Sequence, residues 1–113
     1  MACPHEKRFR ALVNMTPAQI VRWSKDPRAK CYSKPATRRR LKRLAELKRK
    51  PGSQWTAKDC ALAARAVSFN ARMSGGARRD GCTPGYAISL RNWGRAQCPV
   101  PKSCRPSKVA RGR

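Results

Sequence analysis

The stretch from Trp55 to Gly76 constrains this chain more than any other, because it reads as a helix that other elements must surround. Thr56 suits an N-cap, and Asp59 three residues on completes a capping box. Trp55 and Cys60 occupy the two positions of a hydrophobic staple, and Gly75-Gly76 supplies the usual left-handed stop. Between those ends runs KDCALAARAVSFNARMS, rich in alanine and free of proline. Lys58, Arg65 and Arg72 recur every seventh residue, which makes one narrow polar stripe with Ala61 and Ser68 beside it. Cys60, Ala63, Ala64, Val67 and Ala71 cover one flank; Leu62, Ala66, Phe69 and Met73 cover the other. A helix apolar on that much of its circumference is a scaffold, not a binding helix.

The remaining elements are shorter. Thr16 as N-cap with Pro17 at the first helical position predicts a helix reaching about Lys25, before Pro27, with Ile20 and Trp23 facing the core. Tyr32 to Pro35 reads as a turn. A long helix follows from Ala36 to Lys50, stopped by Pro51-Gly52, with Leu41, Leu44, Ala45 and Leu47 as its apolar stripe. Thr83-Pro84 repeats the first helix start, Leu90 and Trp93 repeat its spacing, and Gly94 supplies a C-cap, so this segment also reads as a helix. The expected fold is an all-α small single domain of about four helices around a central buried helix, with a basic Pro-rich C-terminal tail. Residues 1–14 read as a basic arm, 15–98 as the helical domain and 99–113 as the extended tail.

Charge decides what such a domain meets. Among 113 residues, 28 Lys+Arg stand against 5 Asp+Glu, a formal net charge of +23, and 18 of the 28 are arginine, the side chain best matched to phosphate. A chain that repels itself this strongly calls for a polyanionic partner. The Ala36–Lys50 helix concentrates the charge: Arg38, Arg39, Arg40, Lys42, Arg43, Lys48, Arg49 and Lys50 face the single acid Glu46. Solvated helix faces ordinarily mix signs, so this one reads as a phosphate-tracking surface. Arg78 and Arg79, expected in a glycine-flanked loop from Gly75 to Cys82, would assist, as would Lys102, Arg105, Lys108, Arg111 and Arg113 of the tail, with Arg8 and Arg10 auxiliary.

Other chemistry is thinly supplied. One histidine, His5, and five scattered acids offer no acid–base pair, and no Walker-type loop occurs, so the expectation is no enzyme and no cofactor. The six cysteines lack a C-x₂-C pair, which argues against zinc. An even count permits 15 disulfide connectivities, among which sequence cannot choose, and Cys60 on the apolar flank reads as a reduced small hydrophobe. The N-terminus MACPHEKRFR lacks an apolar h-region and no run is long enough to span a bilayer, so an intracellular chain, or one carried in a particle, is expected.

The runs TPAQIVRWSKDPRAKC, TRRRLKRLAELKRKPGSQWTAKDCALAARAVSFNARMS and ISLRNWG resemble a set of small basic proteins of phages, large DNA viruses and some bacteria. The resemblance covers residues 15–94; the set has no established activity, so it implies a viral or mobile-element setting and no site residues. The expected function is therefore non-enzymatic nucleic-acid binding through phosphates, DNA before RNA, with little sequence specificity, in a nucleoid- or virion-associated protein. The alternative is a minor capsid or cement protein that meets an acidic coat protein and is locked by disulfides. Neither reading involves a membrane.

Overall fold

The computed structural model describes residues 3–31 and 36–104. Five helices follow one another, α1 Glu6–Leu12, α2 Pro17–Ser24, α3 Thr37–Arg49, α4 Ala57–Asp80 and α5 Pro84–Arg91, with 3-10 turns at Pro27–Lys30 and Gly52–Gln54. No strand occurs among the described residues. The starts of three helices follow from single side chains. Thr16 and Thr56 each close a capping box, with Gln19 and Asp59 respectively, and Thr83 accepts from the Tyr86 amide. The expected turn at Tyr32–Pro35 lies outside the described residues.

Helix α2 packs chiefly on α3, while α4 touches α1, α3 and α5. Phe9, Val13, Ile20, Leu41, Leu44, Ala45, Ala63, Ala66 and Ile88 are all fully buried in the main core. A satellite cluster of Ala77, Ala87, Leu90 and Cys98 lies where α5 packs on the end of α4. The segment read as an N-terminal arm contributes directly to this core. Phe9 of α1 meets Trp55 edge-on at 5.4 Å, so residues that look loosely amphipathic in sequence become a structural layer.

Two expectations about α4 change. It does not stop at Gly75-Gly76 but continues to Asp80 and ends at Gly81, whose φ of 91° with extended ψ is a conformation open to glycine. Gly76 serves a different purpose: a Cβ there would lie 2.7 Å from the Tyr86 hydroxyl, so its smallness lets α5 approach α4. Arg78 and Arg79 therefore belong to the last helical turn, not to a mobile loop.

The second change concerns cysteine. All six pair, as Cys3–Cys60, Cys31–Cys104 and Cys82–Cys98. Cys60 does sit on the expected apolar flank, but Cys3 at the entrance to α1 reaches it, so it is cross-linked and not reduced.

Gly94 combines a positive φ with a close approach. Its φ is +83°, and a Cβ would stand 2.6 Å from Val13 Cγ1. Gly94→Ala is expected to cost at least about 2 kcal/mol through backbone strain and overpacking. Gly75→Ala, where a Cβ meets nothing within 4 Å, should instead stabilise by about 0.5–1 kcal/mol. Urea denaturation of both variants checks the contrast. Peptide mapping without reductant should recover the three pairs named above. Removing Cys3–Cys60, which spans 57 residues, should cost on the order of 4 kcal/mol.

Candidate nucleic-acid interface

The orientation of α3 is set by its buried residues Thr37, Leu41, Leu44, Ala45 and Leu47. At about 100° per residue, the opposite half of the helix then carries Arg38, Arg49, Lys42, Glu46, Arg39 and Arg43 in angular order. All six are exposed. Arg38 donates through Nε to the Ser24 carbonyl at 3.2 Å. The other four cations have no ion pair or hydrogen bond among the described residues.

Carboxylates cannot neutralise this face, because four of the five are engaged elsewhere. Glu6 pairs with Arg10 at 2.9 Å, Asp26 with Arg28 at 2.7 Å, Asp59 with Lys50 at 2.8 Å and Asp80 with Arg79 at 3.4 Å. The Asp59 and Asp26 pairs are strong enough to hold both carboxyls below the usual range, in each case chiefly through the hydrogen bond from the basic side chain. Only Glu46 remains, one charge among five cations on the same face.

Three residues expected on the phosphate surface are engaged within the protein. Lys48 donates to the carbonyls of Val13 and Met15 at 2.6 and 2.8 Å, and burial, assisted by Arg10, lowers its pKa. Lys50 links the end of α3 to Asp59 in the first turn of α4. Arg40 donates through Nη2 to the Asn92 carbonyl at 3.0 Å and lies 3.9 Å from the centroid of Trp93. Burial and neighbouring Arg65 push its pKa down to about 10, still charged at neutral pH. Arg10, expected as auxiliary, is also engaged: it donates to the Lys48 and Lys50 carbonyls at 3.2 and 2.7 Å.

The remaining expected residues are dispersed. Arg78, Arg79 and Lys102 are exposed, as is Arg8. Arg105, Lys108, Arg111 and Arg113 lie outside the described residues.

Sequence reasoning missed how far the stripe on α4 extends. With the helix continuing to Asp80, Arg79 joins Lys58, Arg65 and Arg72 at the same seven-residue interval, and all four are exposed. Successive members are separated by about 10 Å along the axis. The signal was present in the spacing but masked by the glycine pair.

A layered contact joins this stripe to α3. Trp93 stacks on Phe69 with centroids 5.1 Å apart, Arg72 lies 5.7 Å from the Phe69 centroid, and Arg40 and Arg65 both approach Trp93. Asn70 keeps the arrangement in place by donating to the Trp93 carbonyl at 3.0 Å. Cations on α3 and α4 thus converge at one aromatic seam with no carboxylate in it.

Among the described residues no group of three His, Cys, Asp or Glu side chains could hold a metal ion. No described helix is long and apolar enough to cross a membrane. No family model, curated protein or solved structure matches the chain. The internal and outward roles of neighbouring arginines are separable by stability. Arg40→Gln should lose about 1–2 kcal/mol, because the buried Asn92 carbonyl is left without its donor. Arg43→Gln should stay within about 0.5 kcal/mol of the parent in urea denaturation.

Proposed function

We propose that the protein binds nucleic acid through its phosphates, without catalysis and with little sequence preference, DNA before RNA. The observation that carries this reading is the outer face of α3, where Arg38, Arg39, Lys42, Arg43 and Arg49 stand exposed while four of five carboxylates are consumed elsewhere. A fixed row of unneutralised guanidinium and ammonium groups gains by displacing condensed counterions from a polyanion. The α4 stripe of Lys58, Arg65, Arg72 and Arg79 widens the surface, and Arg40 and Arg65 gain most from an anion that relieves their mutual repulsion. Contacts of this kind position a backbone and carry no base readout. The resemblance to proteins of phages and large DNA viruses suits a role in condensing or packaging a genome.

A second reading, a minor structural protein of a virus particle set against an acidic coat protein, is favoured by the three disulfides. Such cross-links suit a protein that meets oxidising surroundings. Because all six cysteines pair within the chain, they would harden the subunit itself and leave assembly to charge. Stoichiometric copies in purified particles that persist after nuclease treatment would favour this second reading.

Affinity for duplex DNA as a function of salt tests the first. Six neutralised phosphates predict a log–log slope of about −5. Glutamine at Arg39, Lys42, Arg43 and Arg49 together should bring that slope toward zero by about 3 to 4, equally on unrelated sequences. A slope near zero in the parent protein would refute phosphate-driven binding.

A further inference from the structure

A cleft of about 270 Å³ opens between α2, the Pro27–Lys30 turn and α5, with no α3 residue in its lining. Trp23 lines it, anchored by donation from its Nε1 to Asn92 Oδ1 at 2.7 Å. Arg22, Arg28 and Arg91 also line the cleft, with Asp26 the only acid among its described lining residues. The Cζ atoms of Arg28 and Arg91 stand 5.6 and 5.8 Å from the Trp23 ring centroid.

These cations are not equivalent. Arg28 is consumed: its Nε and Nη2 donate to the two Asp26 oxygens at 3.0 and 2.7 Å, and its Nη1 to the Pro101 carbonyl at 2.8 Å. The Arg28–Asp26 pair is therefore locally neutral. Arg91 has no ion pair or hydrogen bond, and its Nε is buried without an acceptor. Burial first and the proximity of Arg28 second disfavour its charge, and nearby Asp26 offsets them only in part. The Arg91 Nη atoms are not buried, so they are the donors left to meet an acceptor in the cleft. Arg22 faces the same space, exposed and unpaired. Gln19, also lining the cleft, accepts at Oε1 from the Thr16 amide N–H, which leaves its own N–H groups as donors.

We infer that this cleft is a binding site for a dianionic phosphoryl group, held by Arg91 and Arg22 beside the neutral Arg28–Asp26 pair. Two uncompensated positive charges match a phosphate monoester or inorganic phosphate better than an internal phosphodiester, which carries one charge. Guanidinium forks suit the multiple acceptor oxygens of such a group. The volume leaves room for the phosphoryl group and a small substituent. The site is independent of the α3 reading and stands or falls separately.

Calorimetric titration with inorganic phosphate at about pH 8, where the dianion prevails, against chloride at matched ionic strength tests the assignment. Saturable binding is expected, weakened at least about tenfold by Arg91→Gln and by Arg22→Gln. Arg22 is exposed, so its variant keeps the test open should Arg91→Gln fold poorly. Absence of saturable binding beyond chloride, or parent-like affinity in a folded variant of either residue, would overturn the site. Oligonucleotides with a 5′-phosphate or a 5′-hydroxyl then identify the source. A preference of at least about tenfold for the phosphorylated end, lost in Arg22→Gln, assigns a strand terminus. Equal binding of both ends, with inorganic phosphate still bound, assigns a free phosphate or small ester. Arg43→Gln should leave phosphate affinity unchanged, and Arg22→Gln should leave the salt slope on internal duplex unchanged, so failure of one reading does not imply failure of the other.

Discussion

The fold depends on main-chain carbonyls accepting hydrogen bonds from side-chain cations. With 5 acids for 28 Lys and Arg residues, carboxylates cannot absorb the charge that packing brings inward. Arg10 reaches the last carbonyls of α3, while Lys48 from the same helix end reaches back to Val13 and Met15. Arg95 bonds the Leu12 carbonyl, Arg38 covers the end of α2 at Ser24, and Arg40 covers the end of α5 at Asn92. Apart from the bond to Met15, which precedes α2, these bonds satisfy carbonyls at or just beyond helix C-termini and place positive charge at the negative pole of a helix. Since carbonyls do not titrate, this network does not weaken on acidification as carboxylate pairs do.

The same device divides the basic residues into two populations that composition treats as one. Lys48, Lys50, Arg10, Arg28 and Arg40 hold elements together; Arg39, Lys42, Arg43 and Arg49 bond no other described residue. Along α3 the two kinds alternate with the helical period. Arg40 and Arg39 are neighbours in sequence, yet one stacks on Trp93 and the other faces solvent. Asn92 joins the inner population to the core: its side chain accepts from Trp23 and donates to the Ala29 carbonyl, and its own carbonyl accepts from Arg40.

Much of the helical framework was legible, for local reasons. The Thr-Pro starts of α2 and α5 and the capping box of α4 act within one turn and need no tertiary information. The alternation of exposed and buried positions along α4 likewise followed from period alone. What remained hidden depends on distant partners. Gly76 looks like a helix stop until Tyr86 is placed against it, and Cys60 looks like a small hydrophobe until α1 brings Cys3 alongside. In the candidate interface, the density of cations on α3 was readable. Which of them turn inward was not, because a carbonyl acceptor has no signature in the amino-acid sequence.

The cross-links have a further consequence that comes from their order along the chain. Cys3–Cys60 and Cys31–Cys104 overlap between residues 31 and 60, and Cys82–Cys98 lies inside the second span. Every peptide bond from Cys3 to Cys104 is therefore bridged by at least one of the two long links. A single protease cut anywhere in that interval leaves two fragments that remain one covalent molecule. An arginine-rich surface is a ready target for trypsin-like enzymes, and this topology makes the first cut survivable without loss of any segment between those two cysteines.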